Sequence, residues 1–238
     1  MAIKAIFYDL DGTLLPMDMD EFTNTYFGLL VKKMIPYGYE KDDLISAVWG
    51  GTKCMVLNDG KKTNEEVFWD FFLDKYGDEA KKDISAFEEY YQNEFDNVKS
   101  VVHFDERVPK LVAKVKEMGL RQILATNPLF PEAATRKRIG WAGLDTEDFE
   151  IFTTYENSHY CKPNLKYYEE LLHKQGLKPE ECLMVGNDVD EDMVAERLGM
   201  KVFLVTGFML NKSGKNIEVY PNGDFDDLME YIDFLTQW

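Results

Sequence analysis

"FYDLDGTLL", residues 7–15, decides the fold. An apolar run ends abruptly in two carboxylates, Asp9 and Asp11, one residue apart, and Gly12 and Thr13 follow at once. A short apolar run bounded by turn residues reads as a strand buried on both faces. Negative charge crowded at its tip is costly, because two unit charges about 4 Å apart repel by about 4 kcal/mol at an effective dielectric near 20. A proton or a cation must therefore balance it.

Four further runs share the character of the first, and together they predict strands at 3–8, 121–126, 150–154, 182–186 and 201–205. Helical patterns separate the later ones. Val108, Leu111, Val112, Val115 and Met118 fall on one helical face, and Gly119 stands where a C-cap belongs. Leu165, Tyr168, Leu171 and Leu172 repeat the scheme, closed by Gly176. Strand alternating with helix predicts an α/β fold, a Rossmann-like open parallel sheet with helices on both faces.

Residues 16–98 break this rhythm. They hold no strand pattern, and helices are predicted near 20–35, 40–49, 64–76 and 78–96. Turn signals at "PYGYE", "WGGT", "NDGKKTN" and "KYGDE" separate them. The segment reads as an inserted α-helical cap, leaving residues 1–15 and 99–238 as the core domain. "WGGTK" (49–53) reads as an interhelical turn, with a second reading in which it faces a ligand. Phe68, Trp69, Phe71 and Phe72 read as the apolar interior of the cap.

Ligands of open α/β sheets bind beyond the carboxyl ends of the strands. At those ends stand Asp9, Asp11, Gly12 and Thr13, then Thr126 and Asn127, then Lys162, then Asp188, Asp190 and Asp192. Oxygen donors in such numbers suit a hard ion, Mg²⁺ more than Zn²⁺. The carboxylates are crowded because a divalent ion and a phosphoryl group are to share the space. A calcium-loop reading of "DVDEDMVAERLG" (188–199) fails, since Met193 stands where such loops need Gly and Gly199 where they need Glu.

Composition narrows the function further. With 238 residues, 45% of them hydrophobic, the chain can bury a sizeable core. A formal net charge of -17 speaks against a nucleic-acid face. No apolar run approaches the ~20 residues of a membrane span, and the N-terminus reads as a strand rather than a signal peptide. Cys54, Cys161 and Cys182 fit neither a disulfide framework nor a zinc pattern, which points to reduced thiols and a cytoplasmic location. His103, His159 and His173 share no ligand spacing. The sequence carries no signal for oligomeric state.

"DLDGT" (9–13), "LATN" (124–127), "CKPN" (161–164) and "VGNDVDED" (185–192), in that order, resemble the four signature motifs of the haloacid dehalogenase-like hydrolase superfamily. The position of the helical insert resembles that family's C1 cap. The resemblance implies a Mg²⁺-dependent phosphatase acting on a small phosphorylated metabolite. Asp9 would be the nucleophile, forming an aspartyl-phosphate, and Asp11 the general acid and then general base. Thr126 would hydrogen-bond the phosphoryl group and Lys162 would steady Asp9, with Gly12, Thr13 and Asn127 also meeting the substrate. The metal would be held by Asp9, the backbone carbonyl of Asp11 and an acid of the fourth motif. The family's fourth motif usually places Asp directly after its Gly, where this chain has Asn187. Asp188 is therefore the expected ligand, with Asp192 and Asn187 supporting and Asp190 pointing away. Two other readings stay open: a phosphomutase of the β-phosphoglucomutase type using the same Asp9, and a binding protein on the same fold without turnover. The carboxylate at Asp11 counts against halide release.

Overall fold

The computed structural model describes residues 3–237. Its strands are β1 (Ala5–Tyr8), β2 (Arg121–Leu124), β3 (Ile151–Phe152), β4 (Cys182–Gly186), β5 (Lys201–Val205) and β6 (Asn222–Gly223). They form one parallel sheet in the order β3-β2-β1-β4-β5-β6, a Rossmann-like α/β architecture. The five expected strands are present, several of them shorter than expected. β2 stops at Leu124 because the Thr126 carbonyl is taken by the hydroxyls of Thr153 (2.6 Å) and Tyr167 (2.9 Å) instead of a ladder partner.

β1 is buried throughout. Its period of two sends Ile6 and Tyr8 to one face and Ala5 and Phe7 to the other. The first face packs under α5 (Arg107–Glu117) and α8 (Phe225–Thr236), the second under α7 (Leu165–Gln175). Tyr8 pairs with Leu124 on one side and Val185 on the other. This register brings the residues just after β1, β2 and β4 to a single edge.

Between β1 and α5 the chain forms α1 (Met19–Met34), α2 (Lys41–Val56), α3 (Asn64–Tyr76) and α4 (Ile84–Gln92). Asp18 starts α1 by accepting hydrogen bonds from the N–H groups of Asp20 and Glu21. A reciprocal Thr63–Glu66 capping box starts α3. The two connections to the sheet run side by side: Met17 pairs with Val102, and the His103 N–H donates to the Pro16 carbonyl at 2.8 Å. The insert also rests on the loop after β3. Asn64 is fully buried there, its N–H donating to the Ser158 carbonyl (2.9 Å) and its side-chain amide to Cys161 Sγ (3.3 Å).

The helices depart from expectation in two places. Residues 78–96 divide into 3₁₀ turns on either side of α4. "WGGT" lies inside α2 rather than in a turn. A Cβ on Gly51 would stand 2.6 Å from the Phe68 ring, so the missing side chain lets α3 approach closely. Gly51→Ala should therefore destabilise the protein: overpacking costs roughly 1–3 kcal/mol, against about 1 kcal/mol regained in helix propensity. A lower midpoint in urea denaturation, with an unchanged m-value, is the expected result.

Candidate active site

The turn after β1 is built by its own backbone. The Asp9 N–H extends the ladder to the Val185 carbonyl at 2.8 Å, and the N–H groups of Thr13 and Leu15 then converge on the Leu10 carbonyl. Gly12 sits at φ 80°, where side chains are strained, and a Cβ there would collide with the Asn187 amide. Asn187 is buried against this turn, its Nδ2 donating to the Phe208 carbonyl at 2.6 Å. The Thr13 hydroxyl lies 3.1 Å from both Asp9 Oδ2 and Asn187 Oδ1. With one proton it can satisfy only one of them at a time.

Lys162 reaches the same edge from the loop between β3 and α7. Its fully buried Nζ stands 2.9 Å from Asp9 Oδ1 and 2.6 Å from Asp192 Oδ1. Burial alone would push the ammonium down, but the two carboxylates outweigh it and hold the group protonated. Asn127 fastens this arm: its Oδ1 accepts the Lys162 N–H (3.2 Å), and its Nδ2 donates to Glu191 Oε2 (2.9 Å). The Asn127 side chain is thus committed at both ends to protein partners. Burial pushes the Glu191 carboxyl up to about 7, against the pull of Lys162. Sequence reasoning passed over Glu191 as one acid in an acidic run.

The fourth-strand acids divide by partner. Asp192 is buried, with Oδ2 accepting the Asp188 N–H at 3.0 Å, and its carboxylate fills the space a side chain on Gly186 would need. Asp188 Oδ1 closes a turn by accepting the N–H groups of Asp190 (2.7 Å) and Glu191 (3.0 Å). Asp190 turns to Ser213 (2.6 Å) and Lys215 (2.8 Å), and the Lys215 hydrogen bond pulls its carboxyl down. Thr126 is buried two residues beyond the end of β2.

One residue enters without a sequence signal. Arg138 lies on α6 (Glu132–Trp141) and is completely buried. Its Nη1 pairs with Asp11 Oδ2, its Nη2 donates to the Thr135 hydroxyl (3.1 Å), and its guanidinium lies 4.5 Å from the Phe130 ring centroid. Asp11 Oδ1 is buried with no hydrogen-bond partner. Burial pushes the Asp11 carboxyl up; Arg138 opposes this, Asp9 adds to it, and the net direction is upward. In "TRKRIG" Arg138 follows Arg136 and Lys137, both outside the core, and nothing in the run marks it as buried.

The donor set fits the Mg²⁺ that the family resemblance implies. Among the described residues, no group of three or more His, Cys, Asp or Glu side chains could hold a metal by itself. An ion here would therefore also need backbone or amide oxygens. Among the described residues, Asp9, Asp11, Asp188, Asp192 and Glu191 meet two buried cationic side chains, Lys162 and Arg138. A site this rich in carboxyl oxygen suits a hard dication.

The Arg138–Asp11 pair yields a pH prediction. Arg138→Met removes the charge that opposes burial, so Asp11 in the folded variant keeps its proton to higher pH. The folded state then holds a proton that the unfolded chain has lost, and stability falls as pH rises above the ordinary carboxylate range. Melting curves from pH 5 to 8 should show the variant's deficit relative to wild type widening with pH.

Comparison with known proteins agrees with this geometry. The family model for haloacid dehalogenase-like hydrolases matches residues 3–207. A glyceraldehyde 3-phosphate phosphatase of Methanopyrus kandleri is 25% identical, over 99% of this chain and 98% of that protein. A pyrophosphatase, PpaX, of Bacillus cereus is 23% identical over 99% and 98%. The crystal structure of a HAD phosphatase from Thermococcus onnurineus superposes with a TM-score of 0.59 at 18% identity, covering 97% of this chain and 98% of that one. No helix among the described residues is long and apolar enough to cross a membrane. With its motifs gathered at one edge of a parallel sheet and the family match spanning most of its length, the chain belongs to the haloacid dehalogenase-like hydrolases.

Proposed function

We propose that the protein is a Mg²⁺-dependent, cytoplasmic phosphatase that hydrolyses a small phosphate monoester. The observation that carries this reading is the pairing of two unlike aspartates one residue apart. Asp9 is held by a buried ammonium, while Asp11 sits where burial favours its protonated form. Such a pair supplies a nucleophile and a proton donor together.

In the first half-reaction Asp9 attacks phosphorus, the bond to the ester oxygen breaks, and the Asp11 proton passes to the departing alkoxide. In the second, water attacks phosphorus, Asp11 takes its proton, and inorganic phosphate leaves as the Asp9 carboxylate is restored. Lys162 offsets the charge that gathers on Asp9 and the phosphoryl oxygens. Thr126 hydrogen-bonds the phosphoryl group, and the tight turn at Gly12 brings the chain close to it, although the N–H groups of Gly12 and Thr13 themselves donate to the Leu15 and Leu10 carbonyls. Asn127 holds Lys162 in place. Asp9, the Asp11 carbonyl, Asn187 Oδ1 and Asp188 would hold Mg²⁺, which when bound neutralises phosphoryl charge. The helices of residues 16–98 serve as the cap that shields the site from water. The phosphatase names of two full-length relatives support the reaction type.

Incubation with p-nitrophenyl phosphate tests the reading. Turnover should require Mg²⁺ and release inorganic phosphate without an added sugar bisphosphate, which separates hydrolysis from phosphomutase chemistry. Asp9→Asn should fall below about one-thousandth of wild type, the scale of loss when a nucleophile is removed. Absence of Mg²⁺-dependent turnover on this ester and on a panel of metabolite phosphates would favour a binding role instead.

Metal titrations test the fourth-strand assignment. Asn187→Ala and Asp188→Ala should each raise the Mg²⁺ concentration needed for half-maximal activity by about tenfold or more. Asp190→Ala, whose carboxylate is engaged with Ser213 and Lys215, should leave it unchanged.

A further inference from the structure

Between the helices of the insert and the loops after β2 and β3 lies a cavity of about 130 Å³ with no charged side chain in its lining. Ten of its sixteen lining residues are aromatic, among them Phe22, Phe68, Trp69, Tyr91 and Phe130. Thr23 and Thr52 add hydroxyls, and Thr52 already donates to the Val48 carbonyl at 2.9 Å. The tyrosine hydroxyls of Tyr26 and Tyr91 are paired with each other at 2.8 Å.

The cavity abuts the Asp11 side of the site. Phe130 forms part of its wall, follows Asn127 by three residues and lies beneath the Arg138 guanidinium that grips Asp11. Tyr91, another wall residue, also feels the Arg138 charge. Asp11, Arg138 and Phe130 thus form a continuous line of contacts from the site to this space. Resting on the phosphatase reading above, we propose that the cavity receives the leaving group of the ester, and that this group is a compact apolar one, an aromatic ring or a short branched alkyl chain, rather than a polyol.

Size and polarity both support this. Apolar cavities of roughly 150 Å³ hold a benzene ring and stay dry. A sugar or glycerol unit would bring several hydroxyls into a wall with few free partners, and each unpaired buried hydroxyl weakens binding. Trp49, about half exposed, packs against Phe27 at 5.4 Å between centroids, and both residues line the cavity. The two glycines that follow Trp49 bring α2 close to α3, which sets the width between these walls.

The test compares benzyl phosphate, methyl phosphate and glycerol 3-phosphate in Mg²⁺, all esters of alcohols with similar acidity. Benzyl phosphate should exceed glycerol 3-phosphate in kcat/KM by roughly ten- to a hundredfold, the range expected from burying one ring. Thr23→Phe, and independently Thr52→Leu, should reduce the benzyl-to-methyl ratio by about tenfold as the cavity fills. Hydrolysis with glycerol 3-phosphate equal or preferred overturns the cavity assignment and leaves the phosphatase reading standing. If no ester is hydrolysed, the phosphatase reading falls, and calorimetric titration of the wild-type protein with benzylphosphonate and methylphosphonate reads the cavity alone. Benzylphosphonate binding at least about tenfold tighter supports it; equal affinities overturn it.

Discussion

The ammonium of Lys162 is the fixed point of this molecule. It is buried between Asp9 and Asp192, and so ties together the end of β1, the loop before α7 and the end of β4. A carboxylate left alone in such a place would be strongly destabilising, commonly by about 3–5 kcal/mol when one partner of a buried pair is lost. The sheet order makes the arrangement possible, because β1 lies between β2 and β4 and the three chain ends emerge together. Asn127 and Glu191 then fasten the Lys162 arm from the side.

The second aspartate has a different environment, and the proposed chemistry rests on the difference. Asp9 meets an ammonium on one oxygen and a threonine hydroxyl on the other. Asp11 meets the Arg138 guanidinium on one oxygen and no partner on the other. Arg138 in turn lies over Phe130, at the boundary between the ionised edge of the sheet and the aromatic interior of the insert. Charge and hydrophobic surface thus meet at a single side chain.

The sheet and the gathering of motif residues were legible because both are written locally. Strands buried on both faces need unbroken apolar runs, and their ends need turn residues, so β1, β4 and β5 could be read from short windows. What depends on packing between distant segments was not legible. β6 has two residues, Asn222 and Gly223, and no apolar signature. Gly50 and Gly51 have low helix propensity and read as a turn, but the approach of Phe68 and Phe71 gives them a different use inside α2. Arg138 carries no mark of burial in the sequence because only the folded chain supplies Asp11, Thr135 and Phe130 around it. The single-residue ambiguity between Asn187 and Asp188 had the same origin. Asn187 lies against Gly12 and Thr13, while one oxygen of Asp188 closes its own turn.

The contact between Gly12 and Asn187 also bears on how such a chain can change over generations. The two positions share one small volume, although they lie in opposite halves of the sequence. A larger residue at the first is admissible only after the second has shrunk or turned, and the second is anchored to the Phe208 carbonyl. Growth at the first position alone is therefore blocked, so its freedom is set by the second and, through it, by the loop that carries Phe208.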